Sequence, residues 1–312
     1  MVKLVLNQLI MMVILMFVGF FLYKKHYLDN SGQKGLVTIL TKVANPCLMI
    51  TLMQREFDHK TLIMFLQACG ATFVLSLIIT GMFFIISKFL KMSFPTAGVF
   101  IQAGVYSNVA FMGQPLVEAV FGKAGLIYCV AVIFTLNIYL FTVGSFFLTY
   151  KCGAPRTTKE ILKLIALNPI ILGSVLGFIF YITQIDIPVP IMTALTLMSG
   201  CTTPIAMIVL GAMLASGNIK EILCDIKIYI FCFFSLIVVP IISKLLLMPF
   251  IGGIAMGVIV ILMATPAAAA YPAFVENYGN NSKKASEYVF VSTMFSVFTL
   301  PAMTLLLCTN IV

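Results

Sequence analysis

The sequence predicts an all-α membrane protein of ten transmembrane helices, arranged as two inverted five-helix repeats. Three observations lead there: a composition that only lipid can solvate, apolar runs of spanning length along the whole chain, and prolines at matched spacing in the two halves. Of 312 residues, 62% are hydrophobic and 9% charged, with a mean hydropathy of +1.13. Soluble domains carry about 25% charged residues, so this chain lacks the charge to cover a globular surface. No long polar stretch interrupts it. Residues 1–312 therefore read as one membrane domain, with repeat one over about 1–150 and repeat two over about 160–312.

Apolar runs fall at roughly 4–23, 36–53, 61–87, 97–120, 125–149, 161–182, 190–215, 227–248, 252–276 and 285–309. Each approaches the ~20 residues needed to cross a hydrocarbon core of ~30 Å. The first is followed by Lys24-Lys25 rather than a small-residue cleavage site, so it reads as a retained helix. Placing the N-terminus outside puts 13 Lys and Arg on the inner loops against five on the outer ones, and both termini are then expected outside the cell membrane. This loop bias accounts for the net charge of +9 and argues against nucleic acid as a partner. Eight Cys are scattered without a C-x-x-C pair, which points to small buried side chains, with no metal site and no cofactor.

The halves repeat. Asn45-Pro46 in the second run answers Thr203-Pro204 in the seventh, and Pro115 in the fourth answers Pro272 in the ninth. Pro46 and Pro115 are 69 residues apart, Pro204 and Pro272 are 68 apart, and each late proline is followed seven residues on by a glycine, Gly122 or Gly279. Five runs per half is odd, so the second half must insert upside down relative to the first. Proline removes a backbone donor and clashes with the preceding turn. Paired Pro-interrupted spans are a strong sequence pointer to a binding site. The expected breaks are Tyr106-Ser107-Asn108 with Gly113-Gln114-Pro115, and Thr265-Pro266 running to Tyr271-Pro272.

At these residues the chain resembles the auxin efflux carrier family, which includes plant PIN-type carriers and bacterial permeases. The most specific stretch is residues 107–122, with Asn108, Gly113, Pro115 and Gly122 on the family pattern. Asn168-Pro169 with Gly173 and Gly177, Pro204 with Met207 and Gly211, the segment from Tyr271-Pro272 to Gly279, and Leu300-Pro301 match as well. The resemblance implies broken helices four and nine crossing at mid-membrane, a scaffold that forms a homodimer, and a small carboxylate as substrate: auxin in plants, malate- or malonate-like acids in bacteria. It places Asn108, Pro115 and Pro272 at or beside the crossing. Plant carriers have an acidic and a basic residue in span three, where this chain offers only Gln67 as a comparable polar group.

The expected activity is secondary transport of a small organic anion, in the direction of efflux, with a sodium- or proton-coupled carrier of the same plan as the alternative. Helix N-termini at Pro115 and Pro272 carry partial positive charge and unpaired N–H groups, and two facing ends make an anion site without a basic side chain. Asn108, Gly113, Gln114, Pro115, Tyr271, Pro272, Asn45 and Lys42 are the candidate substrate-binding residues. Lys42, four residues before Pro46, either faces the site or snorkels toward the interface. Glu118 and Glu276 follow their prolines by three and four residues and are candidates for coupling, or else sit solvated in a vestibule. His26 and His59 both lie in loops, and no H-E-x-x-H or G-x-S-x-G with a histidine partner occurs, so no catalytic residue is assigned and an intramembrane enzyme lacks its parts.

Overall fold

The computed structural model describes residues 2–150, 157–216 and 225–308. Lys151, Arg156 and Lys220, which contribute to the loop-charge count, lie outside the described residues. The elements are α1 (Val2–Lys24), α2 (Asn30–Leu52), α3 (His59–Phe89), α4 (Thr96–Val105), α5 (Val109–Thr149), α6 (Thr158–Ala166), α7 (Pro169–Thr183), α8 (Val189–Gly200), α9 (Thr202–Ser216), α10 (Ile226–Leu247), α11 (Gly253–Met263), α12 (Tyr271–Asn277) and α13 (Ser282–Cys308). Among the described residues no β-strand forms, and one isolated β-bridge is the sole extended pairing.

Among the described residues six runs are long and apolar enough to cross a membrane, or seven if the bent pair α6–α7 counts as one. Three of the expected spans depart from a single straight helix for physical reasons. The expected span at 161–182 is two helices bent by 61°. Asn168 caps α7 through its side-chain oxygen, with Pro169 in the first turn, whereas α6 buries no residue and opens with a Thr157–Glu160 capping box. The expected spans at 97–120 and 252–276 are each interrupted. The 41-residue run of α5 would reach about 60 Å if straight, twice a hydrocarbon core. It is not straight. Gly122 adopts φ 62°, ψ −159°, a conformation that L side chains avoid. A Cβ on Gly125 would lie 2.8 Å from the Val117 side chain, so the chain folds back between residues 117 and 125.

Three prolines inside helices are absorbed in the same way, whereas Pro301 stands in α13 without such a turn. A π-helical turn ends two residues before Pro46 (Leu40–Ala44), before Pro115 (Val109–Gly113) and before Pro240 (Phe234–Val238). The wider turn lets the backbone pass a residue that has no N–H to give.

The helices gather into two groups. α1 packs most extensively on α9, and α2 on α7 and α8. In the other group α5 packs on α3 and α11, α4 on α3 and α13, and α12 on α13. Small residues allow backbone contact in the first group, as between helices in lipid generally. A Cβ on Gly19 would meet the Ile208 carbonyl oxygen at 2.0 Å, and one on Gly211 the Met16 carbonyl oxygen at 1.9 Å. A Cβ on Gly177 would meet the Met49 carbonyl oxygen at 2.8 Å and the Ile50 Cα at 3.2 Å. Gly19 and Gly177 are 158 residues apart, as are Ile50 and Ile208. Left-handed backbone recurs likewise at His26 and Gln184, and at Gly122 and Gly279.

Gly211→Val is expected to destabilise the folded protein by about 1–3 kcal/mol, the usual cost of overpacking, because the new side chain meets rigid backbone. Gly70→Val, where a Cβ meets nothing within 4 Å, is the control. Thermal unfolding in detergent reads the difference, and equal midpoints for the two variants would refute this packing.

Candidate functional site

Two breaks in the helical backbone meet. α4 ends at Val105, and Tyr106 (φ −82°, ψ 79°) and Asn108 (φ −79°, ψ 56°) leave the helical region. α11 ends at Met263, and α12 opens at Tyr271. The intervening segments pair antiparallel about Ser107 and Ala267. The Asn108 N–H donates to the Pro266 carbonyl at 2.7 Å, and the Ala268 N–H donates to the Tyr106 carbonyl at 2.9 Å. Polar backbone freed at membrane depth is costly, and here each break satisfies part of the other. The Ala267 N–H donates to the Ser292 hydroxyl of α13 at 3.2 Å. The fully buried Tyr271 hydroxyl donates to the Val99 carbonyl of α4 at 2.8 Å, which pins the start of α12 across the crossing.

Gly113 makes the close approach possible. A Cβ there would lie 2.4 Å from the Leu262 side chain and 3.2 Å from that of Thr265. Pro272 stands in the first turn of α12, as its sequence position predicts. Pro115 does not open its helix. The helical run begins at Val109 with Asn108 as its N-cap, and the π turn carries it past Pro115 without a second break. The positive end of this helix therefore lies six residues closer to the crossing than the proline implies. Among the described residues, no hydrogen-bond acceptor is found for the N–H groups of Ala110 and Phe111, or for those of Ala269 and Ala270.

Side-chain amides on these elements, or on helices that contact them, are buried. Asn45, Asn108 and Gln114 are joined by Gln102, one turn before the break in α4. Asn45 Oδ1, Gln102 Nε2 and Oε1, Asn108 Nδ2 and Gln114 Oε1 are buried with no hydrogen-bond partner among the described residues. An unsatisfied buried group costs about 1–3 kcal/mol, and native proteins meet such groups with water or ligand. α9 contacts the start of α5 at Val109–Gly113, and α2, which carries Asn45, contacts α5 within Gln114–Tyr139.

The charged candidates stand elsewhere. Lys42 is exposed, although Asn45 one turn on is buried. Glu118, Glu276 and Gln67 are exposed too. Among the described residues the buried carboxylate is Glu287, which the sequence reading passed over: Lys284 Nζ lies 2.6 Å from Glu287 and 3.2 Å from Asp225, tying the start of α13 to that of α10. Gln102 was missed as well, and its signal was that of any amide placed inside an apolar run.

The profile of one family, described as membrane transport protein, matches residues 4–160 and 154–304. The chain belongs to that family. This membrane transport protein is 26% identical over 288 residues to a protein of Rhizobium meliloti named "Putative malonate transporter", covering 87% of this chain and 86% of the relative. It is 25% identical over 229 residues to an uncharacterized transporter of Methanocaldococcus jannaschii, covering 69% and 70%. The auxin efflux carrier resemblance thus holds at family level. The protein is a multi-pass membrane transporter, and its two breaks, paired backbone to backbone, form an uncharged crossing within it.

Proposed function

We propose that this transporter carries a small carboxylate across the cytoplasmic membrane and binds it where the two broken helices cross. The observation that carries the reading is the crossing itself: two helix N-termini with unpaired N–H groups, next to buried amides that lack partners. Helix ends favour anions by up to ~2 kcal/mol each when partly buried, and amide N–H groups add direction. Malonate, the substrate named for the relative, is of the right chemical class; malate and auxin-like acids are the neighbouring candidates.

In this reading the chain makes ten passes as two inverted repeats. α4 with residues 109–121, and α11 with α12, are single broken passes. The pairing of α1 with α9 and of α2 with α7 at positions 158 residues apart supports the repeat. The 13 inner against five outer Lys and Arg support both termini outside, and the exposed apolar face of α8 suits lipid or a second copy in a homodimer. An inside-negative potential then drives anion efflux at about 2.3 kcal/mol per charge per 100 mV.

A second reading, coupling to sodium or protons, is favoured by one observation. α4 and α11 also end at the crossing, so carbonyl ends suited to cations face it. Glu118 and Glu276 are the acids proposed for this coupling. Proteoliposomes loaded with radiolabelled malonate separate the two. Efflux that follows an imposed potential without sodium or a pH gradient supports uniport, and a strict requirement for either gradient, lost in Glu118→Gln or Glu276→Gln, supports coupling. Failure of malonate, malate and monocarboxylates to move under any gradient would overturn carboxylate transport.

A further inference from the structure

We propose a second anion station at the outer mouth of the protein, a cavity that takes a small dicarboxylate on Arg55 and Lys60 before it reaches the crossing. The inference rests on the reading of this protein as a carboxylate carrier. An open cavity of about 590 Å³ lies between the start of α3, the turn after Gly122 and the start of α11. Arg55, Lys60, Thr61, Tyr128, Gly252 and Gly253 line it.

The charged side chains that line it, Arg55 and Lys60, are both basic. The acids of the same loop do not line it. The carboxylate of Asp58 is turned into the first turn of α3, where it accepts from the Lys60 N–H at 3.3 Å, the Thr61 N–H at 2.8 Å and the Thr61 hydroxyl at 2.6 Å. Those bonds from Thr61 hold its carboxyl below the ordinary range, so it stays a charged cap. Among the described residues neither Arg55 nor Lys60 forms an ion pair.

The backbone adds to the site. α11 opens at Gly253 (φ +60°) after Gly252, without a side-chain cap, so its positive end is left open to the cavity. A Cβ at Gly252 would meet nothing within 4 Å, which leaves room for a ligand against that end. Arg55 lies in the loop before α3, and Lys60 lies in its first turn. The loop of Arg55 is fastened to α7: Gln184 Nε2 donates to the Arg55 carbonyl at 3.2 Å, the Phe57 N–H donates to Gln184 Oε1 at 3.1 Å, and the Tyr181 hydroxyl donates to the Asp58 carbonyl at 3.1 Å. Lys60 begins α3, which packs with α4, α5 and α11 around the crossing. A dicarboxylate held by both cations sits where the start of α3 faces the start of α11. Two cations on a cavity wall raise local anion concentration and capture rate more than turnover.

The test is malonate transport from the outer side in proteoliposomes, comparing wild type with Arg55→Gln/Lys60→Gln and with Gly252→Asp, which places a carboxylate in open space. The station requires a rise in the outer-side KM for malonate of roughly fivefold or more in both variants, with kcat held and the salt dependence of KM flattened. An unchanged KM, or a fall in kcat alone, in protein that still transports malonate would overturn the station while leaving carboxylate transport standing. Absence of malonate transport by the wild type, together with absence of malonate binding in calorimetry, would overturn both.

Discussion

Gly113→Val is expected to abolish transport while leaving the protein in the membrane. A Cβ at this position would already lie 2.4 Å from Leu262 and 3.2 Å from Thr265, and valine adds two further carbons. The start of α5 must then move away from α11. That motion stretches the Asn108 to Pro266 and Ala268 to Tyr106 hydrogen bonds that join the breaks. A displacement of about 1 Å at a binding geometry costs on the order of a hundredfold in rate, and the same scale is expected for malonate flux. Gly81→Val in α3, where a Cβ meets nothing within 4 Å, is expected to transport normally. Flux in proteoliposomes, normalised to protein of equal elution profile, reads the effect. Normal flux through Gly113→Val would mean that the two breaks need not touch.

Asn108→Ala is expected to weaken substrate binding ten- to a hundredfold, the worth of about 1.5–3 kcal/mol for a hydrogen bond to a charged group. The backbone bonds of Asn108 survive the change: its N–H still reaches Pro266, and its carbonyl still accepts from Met112 and Gly113. The side-chain Nδ2 has no partner to lose among the described residues. Folding is therefore expected to hold, and Asn108→Asp, which sets a negative charge against an anion, is expected to be worse than Ala. A variant that fails to fold would make Asn108 a structural residue instead.

The features legible in the sequence are those where backbone chemistry speaks through single residues. The break at Tyr106-Ser107-Asn108, the break about Thr265-Pro266 and Pro272 in the first turn of α12 stand where proline spacing puts them. Pro115 misled because a missing N–H has two remedies, a break or a π turn, and the sequence does not say which. α6 is amphipathic and α7 apolar throughout, so the expected span at 161–182 joined two helices of different character that bend at Asn168-Pro169. Long-range relations were out of reach. The hydrogen bond from Gln184 to Arg55 joins residues 129 apart, and nothing local marks Gln102 as buried without a partner. Lys42 looked like the one cation at mid-depth, and its exposure becomes visible only in the fold.

On the proposed function the carboxylate is held by uncharged groups at the crossing rather than by a basic side chain. Calorimetric titration of malonate on Lys42→Gln and Asn108→Ala, run side by side at low salt in detergent, tests it most directly. The expected result is less than about tenfold loss in Lys42→Gln, since a neutral donor there leaves both helix ends intact, and a loss of about tenfold or more in Asn108→Ala. A loss of a hundredfold or more in Lys42→Gln, with Asn108→Ala binding as the wild type does, would contradict it and place the anion on Lys42.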